Sequence, residues 1–228
     1  MFRLFTPRSS FPVFVSAALL IASLAAVPAR AQFAAPPRGT QVHDPSALKP
    51  PAGARIAIVE FEDLECPDCA RANPLLREAA ANYKIPLIRH DFPLPFHVWS
   101  MQAAINARWF DTKSRKIGDD YRDVVFANQA SITDLNGLRS FTEKFAADRK
   151  IALPFAVDPQ GKLQAEVKAD YALGQRIGIE HTPTIWVVTA NSKGAPFVEV
   201  VDRSKLYQLI DQALADTRQA APAHNTHK

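Results

Sequence analysis

The sequence predicts an α/β domain built on a mixed sheet, and three observations carry that prediction. A β-branched run, Ala54 to Phe61, is followed by a helical pattern and then by a second apolar run, Ile85 to Phe92. A long block of helical periodicity fills the middle of the chain. Two short strand-like runs, Thr184 to Thr189 and Phe197 to Val201, then sit close enough to form a hairpin ahead of one more helix. The order is β-α-β, a helical block, then β-β-α. With 228 residues of which 47% are apolar, the chain can bury one good core.

Taken in order, the first 31 residues read as a secretory signal. Arg3 and Arg8 open it, Phe11 to Val27 is uncharged and mostly apolar, and Ala29-Arg30-Ala31 offers a small-x-small cleavage site after Ala31. A retained membrane anchor is the alternative, but the stretch is near the lower length limit for a span and contains Pro12, Ser16 and Ser23. No cysteine lies near the cleavage site, which argues against a lipid-modified N-terminus. Residues 32–53, rich in Pro, Ala and polar groups, read as a linker with at most a short leading strand. A helix is expected from Cys66 to about Tyr83, with Pro67 in its first turn and Pro74 kinking it. Helices follow at Val98 to Phe110, about Gly118 to Ala127, and Asp134 to Ala147, the last preceded by the capping residues of Ser131-Ile132-Thr133-Asp134. Beyond Asp158-Pro159 another helix runs to about Arg176, and the final one covers Arg203 to Ala215. Residues 216–228 are polar and Ala-rich and read as a disordered tail.

The formal charge of +4 invites a nucleic-acid reading, which fails on inspection. Residues 1–31 contribute three arginines and no acid, so the remainder carries 24 basic against 23 acidic residues. No stripe of Lys and Arg interleaved with aromatics stands out, and no nucleic-acid partner is expected.

The chain has two cysteines, and both lie in Cys66-Pro67-Asp68-Cys69. An exported protein that used disulfides for stability would spread them through the fold, and closing so short a loop contributes little. A C-x-x-C after a buried strand and at a helix start has a chemical purpose. The first sulfur meets the unpaired N–H groups and positive end of the helix, which favour the attacking thiolate. Cys66 is therefore the expected nucleophile and exposed partner, with Cys69 one turn on to resolve the mixed disulfide. The alternative, half of a zinc site, needs two further ligands, and the six histidines show no H-x-x-x-H spacing. No metal and no cofactor are expected.

The run Val59-Glu60-Phe61-Glu62-Asp63-Leu64-Glu65-Cys66-Pro67-Asp68-Cys69 resembles the active-site segment of the DsbA-like branch of the thioredoxin superfamily. Phe92-Pro93-Leu94-Pro95-Phe96-His97, Phe126-Ala127-Asn128-Gln129 and the segment Gly174 to Pro183 resemble that branch as well. The resemblance spans residues 54–215. It implies a thioredoxin fold, a mixed central sheet flanked by helices, with an inserted all-helical subdomain at about 97–165. It also implies that Thr182-Pro183, opening a strand, forms a cis-proline loop facing the cysteines and offers backbone to an extended substrate peptide. Glu60 takes the place of the family's buried acid, implied to take or relay the proton of Cys69. Without the resemblance Pro183 is a proline before a strand, and Glu60 could equally face solvent on an edge strand.

Two positions depart from the family pattern. Asp68 stands between the cysteines where strongly oxidising members commonly have His, and Glu62, Asp63 and Glu65 add negative charge nearby. Like charges raise a thiol pKa, so a weaker oxidant is expected. His181, where the family often has Gly, could lie near Cys66 and partly offset Asp68, or be a solvated loop residue. His97 is expected to be structural. The leading expectation is a periplasmic or secreted dithiol oxidase acting on cysteine-containing exported proteins, with an unidentified recycling partner for which a membrane protein is one candidate. A disulfide isomerase or reductant, and a chaperone-like peptide-binding module with an inert disulfide, are the alternatives.

Overall fold

A computed structural model describes residues 39–190 and 194–217. The expected signal segment and cleavage site, the first part of the expected linker and residues 218–228 of the expected tail lie outside the described residues. The elements run β1 (Ile56–Glu62), α1 (Pro67–Tyr83), β2 (Leu87–Asp91), α2 (Ser100–Asp111), α3 (Arg115–Asn128), α4 (Leu135–Asp148), α5 (Lys162–Ile177), β3 (Thr184–Thr189), β4 (Phe197–Glu199) and α6 (Leu206–Asp216). Short 3₁₀ turns occupy Gln129–Ser131 and Arg203–Lys205.

The sheet order is β2-β1-β3-β4, with β1 parallel to β2 and antiparallel to β3, and β3 antiparallel to β4. This is the mixed sheet the sequence predicts, with the helical block α2–α4 inserted after β2. β1 has neighbours on both sides and all seven of its residues are buried, so its alternate residues face two different cores. Ala57, Val59 and Phe61 join Trp186, Val188 and Ile177 on one face. Ile56 and Ile58 meet Ala72 and Leu76 of α1 and Ile210 of α6 on the other. The period of two continues, placing Glu60 and Glu62 on the α1 side.

A third core lies within the inserted helices, where Phe110, Tyr121, Leu138 and Phe145 pack together. Leu64, Cys66 and Cys69 belong to this cluster, so the dithiol sits where the inserted helices meet the sheet.

Local chemistry explains the shifted boundaries. α1 begins at Pro67 and not at Cys66, because Cys66 keeps an extended backbone as its N-cap. Pro74 lies inside the helix, which continues to a left-handed C-cap at Lys84. Ser114 and Asp134 cap α3 and α4 by accepting hydrogen bonds from Ile117 and Gly137 N–H.

Residues 39–53, expected as a linker with at most a short strand, form neither strand nor helix yet pack on the domain. Leu48 is buried in the Val59–Trp186 cluster, and His43 N–H donates to Ile177 C=O at 2.8 Å. The expected tail also starts later than residue 216. Asp216 ends α6, and the buried Thr217 hydroxyl bonds Ala213 C=O at 2.9 Å and accepts from Arg55 at 3.0 Å.

Gly174 lets α5 lie close on the sheet: a Cβ there would meet the Phe92 ring at 2.6 Å and Phe61 at 3.1 Å. Gly174→Ala should therefore destabilise the protein by about 2 kcal/mol through overpacking. Gly137→Ala, in the first turn of α4 with its nearest contact at 3.6 Å, should be neutral or slightly stabilising. Urea unfolding of the two variants checks the contrast, and equal midpoints would contradict it.

Candidate functional site: a dithiol at the amino end of α1

Cys66 and Cys69 are free thiols at the first turn of α1. Cys69 has no exposed surface. Cys66, expected as the exposed partner, retains only 6%, because the inserted helices and the loop before β3 cover it. The Cys66 thiol donates to Thr182 C=O at 3.3 Å, and Asp63 N–H points to the Cys69 sulfur at 3.4 Å. The Cys66 pKa is lowered to about 5. The hydrogen bond from Cys69 is the largest cause, burial opposes it, and the Thr182 side chain and the N–H groups of Cys69 and Asp68 add to it. The buried Thr182 hydroxyl has no other partner among the described residues, which leaves it free to turn to the sulfur. Cys69 is pushed upward, by burial first, then by its hydrogen bond to Cys66 and the charge of Glu60. The two thiols are thus driven apart in acidity: one is a thiolate at neutral pH and its neighbour a thiol.

Glu60 lies beneath them on β1, with none of its surface exposed. The edge-strand alternative is ruled out by the position of β1 inside the sheet. Burial raises the Glu60 pKa to about 8, the charge of Glu62 adds to this, and Arg89 opposes it from 3.9 Å. Neither carboxylate oxygen has a hydrogen-bond partner among the described residues.

The acidic neighbours were expected to raise the Cys66 pKa, and here the structure reverses the sequence argument. Each carboxylate is engaged elsewhere. Glu62 lies between the guanidiniums of Arg89 and Arg122, 3.3 Å from each. Asp63 accepts from Leu94 N–H at 2.7 Å and Glu65 N–H at 2.8 Å, lies 2.7 Å from His97 Nδ1, and accepts from the Ser100 hydroxyl. Glu65 accepts from the Trp99 and Ser100 N–H groups at 2.6 and 2.9 Å, at the start of α2. Asp68 pairs with Arg203 at 2.7 Å and Arg71 at 3.0 Å.

The Thr182–Pro183 peptide bond is cis. Thr182, Pro183 and the exposed His181 line a cleft of about 370 Å³ together with Asp68 and Arg203. His181 Nδ1 lies 3.4 Å from the Thr184 hydroxyl, which donates to His181 C=O at 2.6 Å. Pro67 is exposed at the first position of α1. Cys66, Cys69, Glu60 and Thr182 therefore converge, with Pro183, Asp68 and His181 along the adjoining cleft.

Sequence reasoning missed three contributors. Arg203 comes from the turn before α6. Gln129, in a run that resembles the family, donates to Leu64 and Cys66 C=O at 2.8 and 3.0 Å and so pins the dithiol turn to the inserted helices. The third is the pairing of His97 with Asp63, which ties the loop after β2 to the residues before Cys66. Among the described residues no group of three His, Cys, Asp or Glu side chains could hold a metal ion.

A pH dependence follows. The folded pKa of Cys66 lies below its ordinary value of about 8.5, so thiolate formation stabilises the reduced fold. That contribution is complete above the unfolded value and disappears as pH falls through about 5. The difference in thermal midpoint between reduced and oxidised protein should shift towards the reduced form from pH 5 to pH 8. A pH-independent difference would contradict the assignment.

Solved structures with this fold include alpha-DsbA1 of Wolbachia pipientis, at 17% identity and a TM-score of 0.58 over 73% of this chain and 92% of that one. DsbA2 of Pseudomonas aeruginosa matches at 21% identity and 0.55, over 75% and 95% of the two chains. The catalytic domain of Proteus mirabilis ScsC matches at 20% and 0.55, over 73% and 88%. No curated protein matches the sequence. Residues 52–204 match the family model described as Thioredoxin, more than half of the chain, and the protein belongs to that family.

Proposed function

We propose that the protein is an exported thiol-disulfide oxidoreductase that exchanges disulfides with cysteines of extracytoplasmic proteins, acting as a dithiol oxidase. The observation that carries this reading is the opposed acidity of Cys66 and Cys69 above a buried Glu60.

In the oxidised protein a client thiolate attacks the Cys66 sulfur, and the Cys66–Cys69 bond breaks. The electron pair goes to Cys69, which takes a proton that Glu60 can supply. A second client thiolate then attacks the client sulfur of the mixed disulfide, and Cys66 leaves as a thiolate. The client gains one disulfide and the protein two electrons. Of the two protons released by the client thiols, one is matched at Cys69 and one goes to solvent. A recycling partner with its own disulfide or other two-electron oxidant returns the pair to the oxidised state; a membrane protein is one candidate. Thr182 and Pro183 would present backbone to the client chain beside Cys66, with His181 at the margin of the cleft. Pro67 and Asp68 shape the turn and tune the thiol. The likeness to DsbA proteins and the apolar, charge-poor start of the chain support a periplasmic or secreted location.

The thiol acidity also suggests the strength of the oxidant. A thioredoxin thiol at about 7 accompanies a potential of about −270 mV, and each unit of acidity is worth about 30 mV. A Cys66 pKa lowered to about 5 then moves the pair to a more oxidising potential than that of thioredoxin. DsbA, whose thiol is more acidic still at about 3.5, lies at about −120 mV, so a weaker oxidant than DsbA is proposed on the acidity seen here and not on the acidic neighbours. An intermediate thiol acidity also suits isomerase or reductant action, which is the second reading.

Cys66→Ser should abolish oxidation of a test dithiol peptide. If it behaves like the wild type, the catalytic reading is lost and an inert-disulfide module remains. Equilibration with glutathione should give a potential well above that of thioredoxin; a value near −270 mV would refute the oxidase role. Glu60→Gln should slow the step that protonates or deprotonates Cys69 by about tenfold or more at pH 7, while leaving Cys66 ionisation near 5. An unchanged single-turnover rate would remove Glu60 from the mechanism.

A further inference from the structure

Two anions compete for one helix end at this site. The Cys66 thiolate uses the N–H groups and positive end of α1, and Asp68 carries a second negative charge in the same first turn. Uncompensated, that carboxylate would oppose the thiolate. The structure supplies the compensation from far along the chain. Arg203, in the 3₁₀ turn between β4 and α6, donates through one terminal nitrogen to Asp68 Oδ1 at 2.7 Å and through the other to Asp68 C=O at 3.2 Å. The fork therefore holds both the charge and the backbone of the residue between the cysteines.

Arg71 also reaches Asp68, at 3.0 Å, but its side chain is 67% exposed against 33% for Arg203. A pair that open to water contributes little. The other charged groups about the dithiol are Glu60 and Asp63 from β1 and its end, Glu65 before α1, and His181 and Glu199 along the cleft. Among the described residues none of these contacts the Asp68 carboxylate. Burial of Asp68, the largest effect on its pKa, is outweighed by Arg203 and then Arg71, so the carboxylate is held below its ordinary range. The charge of Arg203 also extends to Glu60, where it favours the carboxylate.

We propose that Arg203 is a positioning residue of the dithiol site: it cancels the charge of Asp68 and thereby lets the acidic turn Cys66-Pro67-Asp68-Cys69 hold a thiolate on Cys66. The inference rests on the reading of this pair as a redox centre and names what makes its unusual intervening acid compatible with that chemistry.

The test is a thiolate titration of the reduced protein by absorbance near 240 nm, which needs no client and no turnover. Arg203→Met should raise the Cys66 midpoint by about one unit, a tenfold loss of thiolate below the midpoint. Asp68→Asn alone should leave it unchanged or slightly lower. The double variant should return to the Asp68→Asn value, because the charge that Arg203 offsets is gone. Arg71→Met should move the midpoint less than Arg203→Met. If Arg203→Met does not fold, Arg203→Gln, which keeps a donor and loses the charge, gives the same comparison. A midpoint unchanged by loss of the Arg203 charge overturns the proposal. So does a double variant displaced as far as the single one, since that outcome assigns Arg203 a purely structural part. Loss of exchange activity in Cys66→Ser is read separately, so the two ideas fail independently.

Discussion

The site depends on one constraint: a sulfur anion has to be held at the amino end of α1 with almost no water to solvate it. Cys66 is nearly covered and Cys69 entirely so. The thiolate is therefore stabilised by oriented dipoles, namely N–H groups of the first turn, the Cys69 thiol and Thr182. The sheet position of β1, the packing of the inserted helices and the loop before β3 all serve to aim those dipoles at one atom.

Beneath the thiols the protein buries acids as well. Glu60 and Glu62 are successive residues on the same face of β1, and both are pushed upward by burial. They differ in company. Glu62 lies against two guanidiniums, and those arginines bind outward to α3 and α2: Arg89 to Asp119 at 2.8 Å, and Arg122 to Asp111 at 3.0 and 2.8 Å. Glu60 has the more distant Arg89, at 3.9 Å, and the longer-range charge of Arg203. The paired acid ties the sheet to the inserted helices, and the poorly paired one keeps both carboxylate oxygens without a hydrogen-bond partner among the described residues. Removing one member of such a buried group strands the other in a low-dielectric interior, a cost of about 3–5 kcal/mol. The inserted helices are thus bound to the sheet by charge as well as by the apolar cluster around Phe110.

The acidic run before and between the cysteines shows how far composition misleads about field. Four carboxylates lie within a few residues of Cys66, yet each points into a bond of its own. Asp63 and Glu65 fasten the segment before α2, while Glu62 and Asp68 are matched by arginines. Summing formal charges along the chain gave a thiol made less acidic; in space those charges are paired elsewhere, and hydrogen bonds from Cys69, Thr182 and the first-turn N–H groups make it more acidic. The family resemblance at Gln129 was legible as a run of letters, but its bonds to Leu64 and Cys66 C=O were not.

The sequence by itself determined the element order, the extent of β3, the capping run ahead of α4 and the identity of the dithiol, while the side of β1 that Glu60 faces was decided by the structure. The first four are local: they follow from periodicity of two or 3.6, from turn and capping chemistry, and from two cysteines three positions apart. Tertiary structure alone decided which charges meet. Arg203 reaches Asp68, Arg89 and Arg122 reach Glu62, and residues 39–53 close on the domain, because pairing between distant segments depends on how elements pack and leaves no periodic trace in the chain. The dithiol was legible; the charge balance that sets its acidity was not.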